Sequence, residues 1–330
     1  MNIYQLIGHS VKQNASDLHL CAGHLPVARV NGDLRTLDDV PLEPEALSSV
    51  LMSLLSAEQQ RRFWEARQMD VALNVEGTRL RANLFLQFTG VSAALRIVNS
   101  ALPTIEQLGV PPALVSAAAE RDGLIIVSGA TGSGKSTTLA ALVDEMNQNQ
   151  ERHVITLEDP IEFIHRSQRS LIQQREIGVH VNDFTSGLLA ALRQDPDVIL
   201  LGELRDVETL RLALTAAETG HLVLATLHTR SAAMAVERIV DAFPSGDKPF
   251  VSVQLANALK SVVCQRLLPG KAGGRVAAYE VLINTPAVAN LIREEKSHQI
   301  ETQMQTGAAF GMQTMAQSMT KLSVAGMISG

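Results

Sequence analysis

Residues 129–136 read Gly-Ala-Thr-Gly-Ser-Gly-Lys-Ser and satisfy the pattern G-x-x-x-x-G-K-[ST]. Glycines at those positions let successive backbone N–H groups curl around phosphate oxygens, and a following helix N-terminus adds partial positive charge. In such a loop Lys135 reaches the β- and γ-phosphates, and the Ser136 hydroxyl ligates Mg2+. The candidate binding segment is therefore Gly129, Ala130, Thr131, Gly132, Ser133, Gly134, Lys135, Ser136 and Thr137.

Carboxylates at two further places fit the same chemistry. Residues 193–206 read Arg-Gln-Asp-Pro-Asp-Val-Ile-Leu-Leu-Gly-Glu-Leu-Arg-Asp. Four consecutive apolar residues, Val198–Leu201, make a buried strand that delivers Glu203 at its carboxyl end. A triphosphate hydrolase needs a carboxylate there to hold Mg2+ or to polarise the attacking water. Ser136 and Glu203 are thus the candidate metal ligands. The usual order sets Asp directly after the apolar run; here Gly202 intervenes and Glu is supplied. Residues 155–162 place Glu158, Asp159 and Glu162 around Pro160, either as a solvated turn or as further site acids. Spacing leaves open which of Glu203, Glu162 and Glu158 is the base. Residues 219–229 put polar groups at both ends of an apolar run, with His221 at its start and His228 at its exit. His228 could sense the γ-phosphate, although a lone histidine at a strand end is more often structural.

The scaffold follows from the spacing of the apolar residues. From residue 122 onward, short apolar runs at 124–127, 154–157, 198–201 and 222–227 alternate with helical stretches. In one of these, 136–146, Leu139, Leu142, Val143 and Met146 share a face. Continuous apolar strands between amphipathic helices predict a mostly parallel sheet covered on both faces. Ligands then bind at the carboxyl ends of its strands, where the motifs fall. Residues 1–100 differ. Leu47, Val50, Leu51, Leu54 and Leu55 recur at helical spacing, whereas 26–30 and 79–85 alternate as strands, the first entering a turn at Asn31-Gly32-Asp33. The expectation is an α/β chain: a small α+β domain over 1–100, a Pro/Gly-punctuated linker over 101–112, and the P-loop domain over 113–330.

Composition narrows the function classes. The chain has 330 residues, which suggests about two domains. Its formal net charge is −6 and only 3% of residues are aromatic, so the basic and stacking signature of a nucleic-acid motor is missing. Cys21 and Cys264 form no metal-binding or redox pair, and each is expected in a packed position of a protein from a reducing compartment. No run approaches the ~18 apolar residues of a spanning helix. The expectation is a cytoplasmic protein that meets a membrane only through partners.

Taken together, these motifs resemble the secretion and type IV pilus ATPase family, especially its PilT-like retraction branch. Residues 192–206 look like the family's Walker B stretch, 158–162 like its Asp box and 221–228 like its His box. Residues 16–20 and 32–34 resemble its PAS-like N-terminal domain, 290–294 its C-terminal AIRE motif, and 311–315 the segment that follows. The resemblance implies a RecA-like ATPase domain and a homo-hexamer that uses ATP and Mg2+. Its partner would be an inner-membrane pilus or secretion platform protein, with no nucleic acid. By local match it also implies that Arg81 and Arg96 reach the phosphates. Two other readings compete: a RecA-like nucleic-acid motor, and a nucleotide-gated scaffold with little turnover. Intact Lys135, Ser136 and Glu203 argue against the scaffold.

Overall fold

The structure, a computed structural model, describes residues 2–30, 32–98 and 102–329. The chain divides into two units, Met1–Ala101 and Leu102–Gly330. In the first, strands β1 (Asp17–Leu20), β2 (Val27–Val30), β3 (Asp33–Thr36), β4 (Gln68–Val75), β5 (Thr78–Gln87) and β6 (Gly90–Val98) form an antiparallel sheet. Their order is β3-β2-β1-β6-β5-β4. Alternation gives this sheet one covered face. Leu18, Leu20, Leu80, Ala82, Leu84, Ala93 and Leu95 pack with Leu6, Ile7, Leu51 and Phe63 of three helices. The intervening residues, among them Asp17, Arg81 and Arg96, point the other way. The turn expected at 31–33 joins β2 to β3, and Asn31 itself lies outside the described residues.

The second unit adds β7 (Gly123–Ser128), β8 (His153–Glu158), β9 (Leu171–Glu176), β10 (Val198–Leu201), β11 (Leu222–Leu227), β12 (Leu259–Pro269) and β13 (Arg275–Ile283). The sheet order is β13-β12-β7-β11-β10-β8-β9, parallel throughout except for β13, which runs antiparallel to β12. Successive residues of each inner strand enter different cores. Ile125, Val127, Val198, Leu200, Leu222 and Leu224 face the helix Lys135–Asn149. Leu124, Ile126, Ile199, Leu201, Val223 and Ala225 face the opposite helical layer. Burial on both sides is why these strands read as unbroken apolar runs.

The stretch read as a linker is structured. Ile105–Leu108 forms a helical turn, with the Thr104 hydroxyl accepting the Gln107 N–H at 3.3 Å. Ile105 and Leu108 pack against the second unit's core, and the Tyr279 hydroxyl donates to the Leu108 carbonyl at 3.1 Å. Two partly buried apolar side chains thus pack this stretch onto the second unit despite its Pro and Gly punctuation.

Candidate functional site

β7 ends at Ser128, residues 129–134 turn, and the helix Lys135–Asn149 begins. Its N-cap is Gly134, at φ 89°, and no side chain caps the helix. The N–H groups of a first helical turn have no intrahelical acceptor, so this end is built to receive an anion. Gly134 is required by space as well as by φ: a Cβ there would lie 2.8 Å from Gln265 Nε2. Gln265 is buried in β12 and accepts a hydrogen bond from Thr138 Oγ1 at 2.8 Å, which turns its amide nitrogen towards the loop. It is a support for the cradle that sequence reasoning missed. The one sequence signal was a polar residue directly after the apolar run Val262–Cys264.

The Lys135 ammonium lies inside the loop and donates to the carbonyls of Gly129 at 2.8 Å and Ala130 at 3.1 Å. Burial lowers its pKa, while the charges of Glu203 and Glu162 act in the opposite direction. Ser136 is exposed to the cleft one position further on.

Gly202 explains why Glu203 does not follow the apolar run directly. The Gly202 N–H donates to the Leu157 carbonyl at 2.8 Å, and a Cβ on Gly202 would lie 3.3 Å from Glu158 Cα. Any larger residue would push the ends of β10 and β8 apart by a few tenths of an ångström. The Thr226 hydroxyl fixes the bend by donating to the Gly202 carbonyl. Glu203 then emerges beside Arg205, 2.7 Å away, and His228 Nε2, 3.2 Å away. Burial would raise its pKa, but the hydrogen bond from Arg205 and the nearby His228 and Arg205 charges outweigh this and lower it. Adjacency in sequence alone does not reveal that the Arg205 side chain folds back onto Glu203.

Glu158 has a different environment. It accepts from Thr156 Oγ1 at 2.6 Å and from Gln174 Nε2 at 3.1 Å. Burial nonetheless pushes its pKa up.

A cleft of about 450 Å3 is lined by Lys135, Ser136, Thr137, Glu162, Glu203, Arg205 and His228. A smaller cavity of about 70 Å3 adjoins it and shares Ser136, Glu162 and Glu203, with Glu158 and His165 on its wall. The loop, the two carboxylate groups and His228 thus meet at the carboxyl ends of β7, β8, β10 and β11. His221 does not join them; its Nδ1 lies 3.1 Å from the Ala216 carbonyl at the start of β11. Arg81 and Arg96 lie in the first unit, directly opposite each other on β5 and β6. Arg96 is paired with Asp17 at 3.0 Å and stays 66% exposed. Hard oxygen donors at Ser136 and Glu203 suit Mg2+, which takes one or two protein oxygens beside substrate phosphates.

Residues 2–327 match the family described as type II/IV secretion system protein. The chain is 46% identical over 330 residues to the type IV pilus retraction ATPase PilT of Pseudomonas aeruginosa, covering 100% of this chain and 96% of that protein. It is 53% identical over 319 residues to the Escherichia coli protein named uncharacterized protein YggR, covering 96% and 97%. A crystal structure of the pilus retraction motor PilT with bound ADP superposes with a TM-score of 0.94 at 43% identity, covering 100% of this chain and 95% of that one. With this match in sequence and fold, and a phosphate-binding loop facing strand-end carboxylates, the chain belongs to the type II/IV secretion system protein family of ATPases.

Proposed function

We propose that this chain hydrolyses ATP to ADP and phosphate, and that as a homo-hexamer it powers retraction of a type IV pilus through an inner-membrane platform protein. The observation that carries the catalytic part is the convergence of Lys135, Ser136, Glu162, Glu203 and His228 on one cleft. The full-length similarity to a retraction ATPase supports the biological part.

In this reading the loop N–H groups and Lys135 bind the phosphates and neutralise charge that builds up on the γ-phosphoryl oxygens. Ser136 and Glu203 would hold Mg2+, which would supply further neutralisation of the phosphates' negative charge. The lowered pKa of Glu203 keeps it ionised for that task. Glu162, the other glutamate bordering the main cleft, orients the attacking water and accepts its proton. His228 lies against Glu203 and is placed to report the phosphate's presence. Glu158, which burial holds towards its neutral form, shapes the adjoining cavity.

The test has two arms. Purified protein should release phosphate from ATP in a Mg2+-dependent manner, and Lys135→Ala should abolish release and weaken ATP binding. Deleting the gene should leave surface pili in place and stop twitching. Binding without phosphate release in a single turnover would make the chain a nucleotide-gated scaffold, and normal twitching in the deletion strain would assign the motor to another machine.

A further inference from the structure

Glu280, in β13, is 7% exposed and takes no part in the nucleotide cleft. Isolated buried carboxylates are costly, so the groups that compensate this one are informative. Its Oε1 accepts the N–H of Ala232 at 2.6 Å, and its Oε2 accepts the N–H of Met315 at 3.3 Å. Ala232 is the first residue of the helix Ala232–Asp241, and Met315 the first of the helix Met315–Val324. One carboxylate therefore sits at two helix N-termini, where each helix dipole favours negative charge. Burial is the largest influence on Glu280 and raises its pKa, with Glu301 acting the same way; the two N–H groups and Arg266 pull it back down.

Each helix leads somewhere different. Ala232 follows His228 by four positions, and the Thr229 between them donates its N–H to Ser128 Oγ at 2.8 Å, at the end of β7. This side of Glu280 is thus anchored to the strand that opens the phosphate loop. On the other side, Gln313 pairs with Val281 through backbone bonds of 2.8 and 3.1 Å, and the Tyr279 N–H donates to Ser318 Oγ at 3.0 Å. Three successive residues of β13 hold the C-terminal segment, and the middle one also holds the His228 side.

We propose that Glu280 is a positioning residue that ties the His228 end of the cleft to the C-terminal helix Met315–Val324 through its two carboxylate oxygens, so that nucleotide binding is transmitted to that helix. The proposal rests on the nucleotide-site reading above.

The decisive variant is Met315→Pro in the full chain. Proline is well tolerated at the first position of a helix, and Thr314 already has the extended backbone that a following proline requires (φ −78°, ψ 162°). The substitution removes the N–H offered to Glu280 while the helix remains; Met315→Ala removes the same side chain and keeps the N–H. Hydrogen exchange is followed with and without ADP. In the parental protein and Met315→Ala, ADP should slow exchange at residues 129–137 and at 316–320, the latter by about tenfold. In Met315→Pro the first effect should persist and the second shrink below about twofold. Glu280→Gln, which leaves one acceptor oxygen for two N–H groups, should behave like Met315→Pro and decides the matter if the proline variant loses protection throughout. An ADP response at 316–320 that survives both substitutions, or is missing from the parental protein, overturns the proposal. A parental protein with no response at 129–137 overturns the nucleotide reading itself, and this inference with it.

Discussion

Glu203 and Glu158 stand at the ends of neighbouring strands, yet their surroundings shift them in opposite directions. Glu203 meets Arg205 and His228, which outweigh its burial; Glu158 meets hydroxyl and amide donors that do not. Replacing Glu203 by Gln should therefore stop turnover by about 10²–10⁴-fold and leave ATP bound, since the cradle survives while the charge at the metal and water position is lost. Phosphate release at the parental rate, read beside a direct nucleotide-binding measurement, would show that Glu203 has another job. Glu158→Gln should act on stability instead. A carboxyl whose folded pKa lies above its unfolded value contributes stability at low pH and loses it as pH rises through the folded value. The Gln variant escapes that loss and keeps an oxygen to accept from Thr156 and Gln174. Its melting temperature should exceed the parental one at pH 8, and the two should converge below pH 4.5, the ordinary carboxylate value. A variant less stable at every pH would show that the buried charge is itself stabilising. The types and strand-end positions of these acids were legible in the sequence. Their opposed environments were not, because Arg205, Gln174 and Thr156 act through side-chain directions that spacing leaves undetermined.

At the scale of elements, the β-strands of the second unit were the most legible because both faces are buried, and continuous runs such as Val198–Leu201 admit few other readings. Strands β12 and β13 were harder to see: polar Ser261, Gln265 and Glu280 are buried in them for specific partners, and these interrupt the apolar pattern. The helix Pro286–Arg293 shows the same division between packing and role. Val288, Ala289 and Ile292 enter the core, whereas Arg293 and Glu294 are exposed. Glu294 is engaged by Asn290 at 3.0 Å and Lys296 at 2.7 Å, and Arg293 donates to Asn257 at 3.1 Å. Exposed, solvent-screened pairs of this kind contribute little, so replacing Arg293 and Glu294 by Ala should cost little stability. We expect ATP hydrolysis by the double variant to stay within about twofold of the parental rate, because surface changes away from a site are usually near neutral. Pilus retraction in cells should be lost if this helix end transmits work. Parallel loss of both would point to failed folding or assembly, and retention of both would leave the pair as ordinary surface.

For the whole molecule, the question is what a chain with two separate cores requires of each. The sheet of the first unit is covered on one face by its own helices, and the second unit has its own core on both faces of its sheet. The change from alternating to continuous apolar strands near residue 100 made this division legible, but the function of the first unit is less so. Its clearest pointer is a row across the open face, in which Arg29, Asp17, Arg96 and Arg81 are successive cross-strand partners on β2, β1, β6 and β5. Arg96 and Arg81 stand directly opposite each other, and Arg96 is also bound to Asp17 at 3.0 Å. In keeping with the family resemblance, we propose that Arg81 and Arg96 supply charge to nucleotide phosphate in the assembled motor. A chain that starts at Leu102 keeps the Ile105–Leu108 turn and the second unit's cores. It should fold, bind ADP with affinity near the parental value, and hydrolyse ATP at least about 10²-fold more slowly, the scale on which arginines act in phosphoryl transfer. Full activity per subunit in this truncated protein would remove the first unit from catalysis. Arg81→Ala in the intact chain separates the remaining explanations: if assembly alone were lost on truncation, this variant would keep its rate, whereas a phosphate-directed arginine predicts a fall in kcat with the oligomer intact.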